Sequence, residues 1–321
     1  MEKKRQPPQE LIIDTGHDGQ RIDNYLLTAL KGLPRSRVYR LLRKGEVRVN
    51  KGRIKPSYRL KSGDVIRIPP LVVDSRKSVG PSPQLADTLL HSILYEDEDL
   101  LILDKPAGIA VHGGSGINIG VVEAFRSLRP EIPDLELVHR LDRATSGCLI
   151  LAKNRSTLLE LHTLLRVNAV DKRYLTLLKG EWLSGDQRID IPLSKNRLRS
   201  GERMVQHNAS GKTATSYFYP RRVGRIASLV EVRLVTGRMH QIRVHAAQNG
   251  HPVAGDDKYG EREFNREMTN FGLKRLFLHA SSIEFDLQDT GRRISVTAPL
   301  PADLLTCLKK LHLDDESITS I

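Results

Sequence analysis

Two short proline-rich stretches constrain the fold of this 321-residue chain more than any other feature. Residues 69–70 are Pro-Pro, and residues 80–83 read Gly-Pro-Ser-Pro. Proline fixes the backbone φ angle and lacks an N–H donor, so these stretches interrupt helices and central strands. They predict a small N-terminal module at residues 15–75, a linker at residues 76–87 and a larger domain at residues 88–321.

Positive charge is concentrated in the small module. Residues 1–70 contain 17 Lys and Arg against 7 Asp and Glu, whereas the rest of the chain contains 34 against 31. The net charge of +13 therefore arises mostly at the N-terminal end. This asymmetry is typical of a nucleic-acid-binding module attached to a near-neutral body. A membrane-surface helix would need Trp or Phe opposite its charges, and residues 1–70 contain neither.

The remaining composition predicts a cytoplasmic protein with no membrane partner. Residues 1–8 are charged and are followed by no apolar stretch, so we expect no signal peptide. No apolar run approaches the roughly 18 residues that a membrane-spanning helix requires. The two cysteines, Cys148 and Cys307, have no paired spacing, which argues against a disulfide framework and against a cysteine zinc site.

The small module has the pattern of two helices and a small sheet. Apolar spacing predicts a first helix around residues 22–30 and a second from Ser36 to Gly45. Residues 47–54 predict a hairpin, and residues 65–68 a further strand. The second helix carries basic candidates for RNA contact, namely Arg35, Arg37, Arg40, Arg43 and Lys44. This order of elements and turns resembles the S-four-type (alpha-L) RNA-binding domain, a small α+β module that contacts RNA shape and phosphates.

The larger domain shows no regular alternation of strands and helices, which predicts an α+β fold with a largely antiparallel mixed sheet. Candidate strands lie at residues 92–95, 100–103, 135–141, 148–152, 173–178, 214–218, 228–234, 276–278 and 294–297. Candidate helices lie at residues 120–128, 155–166, 239–249 and 302–311.

One polar loop of this domain carries an unusual set of charges. Residues 139–147 read His-Arg-Leu-Asp-Arg-Ala-Thr-Ser-Gly and connect two apolar segments. Asp142 is flanked by Arg140 and Arg143, whose positive charges favour its ionised form. An ionised carboxylate held by cations can serve as a nucleophile or base toward a polyanionic substrate. For an aspartate in an arbitrary loop, a salt bridge or a turn cap is the commoner role, and the charges alone leave that alternative open.

The loop matches every fixed position of the pattern H-R-L-D-x-x-T-S-G, and it thereby resembles the catalytic loop of the RluA/RluC family of pseudouridine synthases. Three further stretches carry the same resemblance, which covers about residues 15–312. They are residues 104–114 (Asp-Lys-Pro-Ala-Gly, then Val-His-Gly-Gly), residues 172–175 (Lys-Arg-Tyr-Leu) and residues 236–245 with 250–256. One departure is Met239, where the family usually has Thr.

The resemblance implies a role for each candidate site residue. Asp142 is the catalytic aspartate, and Arg243 pairs with it. Tyr174 stacks on the target base and is a candidate acceptor of the C5 proton. Arg140 enters the space that the extruded uridine leaves, and Arg143 contacts phosphate. Asp142 could attack the base, attack the sugar or abstract a sugar proton, and the sequence does not choose among these.

The resemblance also implies the substrate. The basic module joined to residues 110–114 favours a member that acts on ribosomal RNA, specifically the 23S RNA of the large subunit. Conversion of uridine to pseudouridine involves no net oxidation, hydrolysis or energy input. We therefore predict no cofactor, no metal and no nucleotide cofactor.

Other motifs in the chain are weaker. Residues 114–120 match a degenerate G-x-G-x-x-x-G without a clear strand–turn–helix unit around it. Ser146 lacks the G-x-S-x-G context of a hydrolase, and no H-E-x-x-H zinc motif occurs. Two rival functions stay open at this point: a non-catalytic RNA-binding assembly factor and an S-adenosylmethionine-dependent RNA methyltransferase.

Overall fold

The computed structural model describes residues 3–30, 33–74, 80–113, 119–197 and 203–314. The chain forms two compact units that divide between residues 79 and 80. Each unit has its own hydrophobic core. None of the helices in the described part of the chain has both the length and the apolar character needed to span a bilayer.

The N-terminal unit contains two helices and short antiparallel strands. Its elements are β1 (Lys3–Gln6), β2 (Gln9–Ile12), α1 (Ile22–Ala29), α2 (Arg35–Lys44), β3 (Arg48–Val49), β4 (Gly52–Arg53), β5 (Val65–Ile68) and β6 (Leu71–Asp74). Strands β2, β5, β3 and β4 form one sheet in that order, and β1 pairs with β6. Both predicted helices and the predicted hairpin are present. Gly45 ends α2 in a left-handed conformation with φ of 69°.

The core of this unit forms where α1 and α2 pack on the four-stranded sheet. Val38, Leu41 and Leu42 of α2 are buried with Ile22 and Leu26 of α1. Because apolar residues recur at three- and four-residue spacing, one face of α2 enters the core and the other stays in solvent. The basic residues therefore remain on the outer side of α2.

The C-terminal unit is built on one large sheet. Its helices are α3 (Pro83–Leu90), α4 (Val121–Leu128), α5 (Arg155–Arg166), α6 (Gln241–Gln248), α7 (Arg262–Asn270) and α8 (Ala302–Leu311). Its strands are β7 (Ile93–Glu96), β8 (Leu100–Lys105), β9 (Glu136–Leu137), β10 (Ser146–Ala152), β11 (Asp171–Lys179), β12 (Gln187–Asp190), β13 (Leu193–Arg197), β14 (Arg203–His207), β15 (Thr215–Val223), β16 (Ala227–Leu234), β17 (Leu278–Asp286) and β18 (Arg293–Thr297).

Ten strands of this unit join into a mixed sheet with the order β12-β15-β16-β11-β17-β10-β8-β7, while β18 pairs with β17 and β9 with β10. Among the described strands, only β10 and β17 pair in parallel. The predicted α+β class with a largely antiparallel mixed sheet is therefore confirmed.

Two local predictions require correction. Helix α3 begins at Pro83, inside the range predicted as a linker, because proline is acceptable at the first helical position and Ser82 accepts a hydrogen bond from the N–H of Leu85 at 3.2 Å. Of the strand predicted at residues 135–141, only Glu136–Leu137 form a strand, β9, and the residues after it belong to the loop before β10. Residues 75–79 of the predicted linker and residues 114–118 of the glycine-rich motif lie outside the described residues.

Candidate active site

Asp142 lies in the loop between β9 and β10 and lines an open cleft. Its carbonyl accepts a hydrogen bond from the N–H of Thr145 at 3.1 Å, which closes a turn immediately after it. The side chain of Asp142 is 19% exposed. The backbone at Asp142 is therefore fixed by a turn, and its carboxylate remains accessible from the cleft.

The loop that carries Asp142 is held by Lys105, at the end of β8, and by the residues that follow it. Lys105 is fully buried, and its Nζ donates to the carbonyls of Pro106 at 2.7 Å, Ile109 at 3.0 Å and Arg143 at 3.5 Å. The N–H of Gly108 also donates to the carbonyl of Arg143, at 2.7 Å. Burial lowers the pKa of Lys105 to about 7. The first motif of the family resemblance thus clamps the backbone of the Asp142 loop.

The end of the loop is fixed by a glycine. Gly147 has φ of 106°, and a Cβ atom at this position would lie 2.2 Å from the carbonyl oxygen of Ala280. This close approach occurs because β10 and β17 pair in parallel at Ser146–His279 and Gly147–Ala280. The glycine at the end of the motif is therefore required by the sheet and not by the chemistry.

Arg243 on α6 is held mainly by a residue other than Asp142. Its Nε donates to Asp256 Oδ2 at 2.7 Å and its Nη2 to Asp256 Oδ1 at 2.6 Å, whereas its Nη1 lies 3.5 Å from Asp142 Oδ2. Asp256 is 1% exposed, and the arginine beside it holds the pKa of its carboxyl low against the effect of burial. The predicted contact between Arg243 and Asp142 is present, but it is longer than the two contacts between Arg243 and Asp256.

The start of α6 differs from the prediction. The helix predicted over residues 239–249 begins at Gln241, and His240 occupies the cap position with φ of 55°. The hydroxyl of Thr236 donates to Gln241 Oε1 at 2.8 Å. The amide of Gln241 donates to the carbonyl of Thr215 at 2.9 Å. The sequence analysis did not predict a role for Gln241. Its position between His240 and Arg243 in the motif is the signal that could have identified it.

His240 adds a second contact to the carboxylate. Its Nε2 lies 3.6 Å from Asp142 Oδ2, beside the contact from Arg243. Burial lowers the pKa of His240, so the neutral ring is favoured near pH 7. His240 and Arg243 thus reach the same carboxylate oxygen, the first from the cap of α6 and the second from the helix itself.

Tyr174 on β11 lines the same cleft and is 7% exposed. The pairing of β11 with β17 shifts register between Arg173 and Leu175, and this bulge re-aims the side chain. Burial, reinforced by the charge of Asp142, raises the pKa of Tyr174 well above its usual range. The phenol therefore stays protonated near neutral pH and presents a flat, uncharged ring to the cleft.

The candidate RNA contacts are distributed over both units. Arg140 is exposed and lines the cleft, while the Nε of Arg143 donates to the carbonyl of Gly108 at 2.8 Å. On α2 of the N-terminal unit, Arg37 is half-buried and the other basic candidates are exposed: Arg35, Arg40, Arg43 and Lys44. Within the described ranges, no group of three or more His, Cys, Asp or Glu side chains has the arrangement of a metal site.

The chain is similar to known proteins over most of its length. Residues 99–248 match the family model described as RNA pseudouridylate synthase, and residues 20–66 match the S4 domain. The ribosomal large subunit pseudouridine synthase C of Yersinia pestis is 51% identical over 313 residues, which cover 97% of this chain and 98% of the relative. The protein of the same name from Escherichia coli is 50% identical over 315 residues, covering 97% and 99%.

Solved structures show the same fold. Human RNA pseudouridylate synthase domain containing 4 superposes with a TM-score of 0.60 at 24% identity, covering 72% of this chain and 97% of the human chain. Human RNA pseudouridylate synthase domain containing 1 gives a TM-score of 0.56 at 25% identity, covering 69% and 87%. With relatives that are half identical over nearly their whole length, this chain belongs to the RNA pseudouridylate synthase family and carries an N-terminal S4 domain.

Proposed function

We propose that this enzyme isomerises specific uridines to pseudouridine in the RNA of the large ribosomal subunit, 23S RNA, in the cytoplasm. The observation that carries the proposal is a partly exposed carboxylate, Asp142, contacted by a buried arginine and facing a cleft lined by Tyr174. The names of the half-identical relatives support the large subunit as the source of the substrate.

The reaction needs one group that can engage the nucleoside and an environment that keeps it ionised. The bond between C1′ of ribose and N1 of uracil breaks, and a bond between C1′ and C5 forms. C5 loses a proton and N1 gains one, so atoms and charge balance without a cofactor. Asp142 is the group in a position to act, by attack on the base, attack on the sugar or abstraction of a sugar proton.

Tyr174 is suited to stacking. Its ring is neutral near pH 7 because burial and the charge of Asp142 oppose loss of the phenolic proton. A protonated phenol is a poor acceptor for the C5 proton, so we assign Tyr174 to holding the uracil flat beside Asp142. Of the two roles that the family resemblance implies for Tyr174, we therefore keep stacking on the base and drop acceptance of the C5 proton.

A uridine in folded RNA must leave its stack before it can reach Asp142, at a cost of roughly a few kcal/mol. The exposed guanidinium of Arg140 lies at the cleft and is the group we assign to the vacated space. Arg143 is assigned to phosphate, and the basic outer side of α2 to the surrounding RNA. Extrusion of the uridine and placement of the RNA are thus assigned to exposed arginine and lysine side chains.

The test is tritium release from RNA that carries 5-tritiated uridine, because the C5 proton leaves during isomerisation. Asp142→Asn is expected to abolish release while RNA affinity stays within about threefold, since one loop carboxylate contributes little to phosphate contact. Asp134→Asn changes an exposed carboxylate in the same segment and should release tritium like the unchanged enzyme. Turnover of Asp142→Asn within tenfold of the unchanged enzyme would contradict the assignment.

The rival functions give different results in the same preparation. An RNA-binding assembly factor would bind ribosomal RNA and release no tritium even unchanged. A methyltransferase would bind S-adenosylmethionine measurably in calorimetry. Pseudouridine mapping of ribosomal and transfer RNA from cells that lack the gene would identify the modified nucleotides.

A further inference from the structure

The carboxylate of Asp142 is held loosely by its own contacts. Arg243 Nη1 and His240 Nε2 both approach Asp142 Oδ2, but at 3.5 and 3.6 Å. Contacts of this length are long for charge-assisted hydrogen bonds, which usually measure about 2.7–2.9 Å. The position of Asp142 therefore depends on what fixes the two side chains that flank it.

Tyr259 contacts both of them. Its hydroxyl lies 2.8 Å from His240 Nδ1, and the guanidinium carbon of Arg243 lies 5.1 Å from the centre of its ring. The rings of Tyr259 and His240 meet edge to face at 5.5 Å between their centres. A single side chain thus supports both groups that reach Asp142.

Counting hydrogen atoms sets the direction of the Tyr259–His240 bond. The hydroxyl oxygen of Tyr259 already accepts the N–H of Val205 at 2.9 Å, and it has one hydrogen to donate. Within the described residues, His240 Nδ1 is the acceptor within hydrogen-bond distance of that hydroxyl. A neutral ring that accepts at Nδ1 carries its hydrogen at Nε2, which is the atom that faces Asp142.

Two further observations indicate that this arrangement is built and not incidental. Asp256 Oδ1, which binds Arg243, also accepts the N–H of Tyr259 at 3.1 Å, so one carboxylate orients the arginine and the tyrosine together. His240 has a left-handed backbone with φ of 55°, which is uncommon for a residue other than glycine. Such strain persists only where surrounding contacts enforce it.

We propose that Tyr259 is a positioning residue for Asp142, because it fixes His240 with its N–H toward the carboxylate and supports the guanidinium of Arg243 with its ring. This inference rests on the proposed role of Asp142. It also links Asp142 to strand β14, because the N–H that holds the Tyr259 hydroxyl belongs to Val205. Tyr259 touches no reacting atom in this scheme.

The test replaces Tyr259 by phenylalanine in the full chain, which keeps the ring over Arg243 and removes the hydroxyl. We expect kcat to fall about tenfold, the effect of one lost hydrogen bond, with KM within twofold. Nitrogen NMR of the histidine rings should show that the Nε2–H form of His240 loses population. Tyr219→Phe, on a strand of the large sheet and outside these contacts, is the matched control and should change neither quantity.

A second variant separates positioning from general damage. His240→Gln places an amide N–H near the position of Nε2 and does not need a donor at Nδ1. In that background, Tyr259→Phe should lower kcat by less than twofold, which a double-mutant cycle measures as coupling. The proposal is overturned if Tyr259→Phe alone keeps kcat within twofold, if the His240 NMR signals do not change, or if the two substitutions act additively. Asp142→Asn tests the underlying function separately.

Discussion

The two units of this chain use charge in opposite ways. On α2 of the N-terminal unit, four of the five basic candidates project into solvent. In the C-terminal unit, Arg243 and Asp256 are only 6% and 1% exposed. An exposed charge attracts a polyanion and is screened by salt, whereas a buried charge is held by its partner and acts on one neighbour. Capture of RNA and control of a single carboxylate are therefore assigned to charges in different environments.

The sharpest test of this contrast removes the buried negative charge. Asp256→Asn leaves the buried guanidinium of Arg243 with only the longer contact to Asp142, at 3.5 Å, so we expect the free energy of unfolding to fall by about 3 kcal/mol. Tritium release should fall at least about 100-fold, because Arg243 and Tyr259 lose their shared anchor. Urea unfolding and the release assay measure the two effects.

The matched control is Glu284→Gln. Glu284 pairs with Arg293, and the two side chains are 42% and 70% exposed. An exposed pair of this kind contributes about 1 kcal/mol or less to stability, and its loss should leave tritium release unchanged. Equal costs for Glu284→Gln and Asp256→Asn would remove the distinction between the two kinds of charge.

A second prediction concerns the exposed charges. Changing all five basic residues of α2 to Gln, namely Arg35, Arg37, Arg40, Arg43 and Lys44, should weaken binding to ribosomal RNA fragments. Each phosphate that is no longer neutralised lowers the slope of log affinity against log salt by about 0.7–0.9. Affinity measured across a salt series therefore shows how many phosphates α2 neutralises, and kcat at saturating RNA should stay within about twofold of the unchanged enzyme. An unchanged slope would mean that α2 does not touch RNA.

A third and smaller effect depends on pH. His279 is fully buried between Ser146 Oγ at 2.9 Å and the carbonyl of Ala298 at 3.1 Å, and burial lowers its pKa to about 4. Between pH 6.5 and 4 the unfolded chain binds a proton there and the folded chain does not. This residue therefore makes stability fall on acidification, by up to about 1.4 kcal/mol per pH unit.

The measurement compares the unchanged enzyme with His279→Asn in urea at several pH values. Because other groups titrate equally in both proteins, the difference in unfolding free energy isolates His279. That difference should shrink between pH 6.5 and 4 and stay constant above pH 7. A pH-independent difference would show that His279 is not buried in its neutral form.

Asp23 in the N-terminal unit loses its contribution in a lower pH range. The contact with Arg21 lowers the pKa of Asp23 to about 2, so the stability that its ionised form contributes is lost between pH 3.8 and 2.

Sequence reasoning predicted most of this arrangement where local pattern carries the information. The apolar spacing of α2, α5 and α8 predicted these helices, and the motif around Asp142 identified the loop. Helix α7 was missed because Phe264 and Met268 are its only buried residues, too few for a periodic signal. Strands β13 and β14 were missed because most of their residues are polar and they form a two-stranded sheet of their own, apart from the large sheet.

The contacts that the sequence pattern did not predict share another cause. Arg243 contacts Asp142 as expected, but its two short contacts go to Asp256. Both aspartates were visible in motifs, but the choice between them depends on how a turn after α6 folds back on the helix. Thr236 has the chemistry of an N-cap, and its hydroxyl is used instead by Gln241. Propensity identifies which groups can bond, and tertiary packing decides which of them do.

The parallel pairing of β10 and β17 also sets the order in which the protein can mature. Gly147 meets Ala280, and Ser146 meets His279, across 133 residues of chain. The N-terminal unit ends at residue 79, whereas the exit of the Asp142 loop gains its parallel partner β17 only after residue 280 has been synthesised. During translation, the part that captures RNA is therefore finished long before the part that modifies it. The RNA-binding fold can therefore form before β17 is available to brace the end of the Asp142 loop.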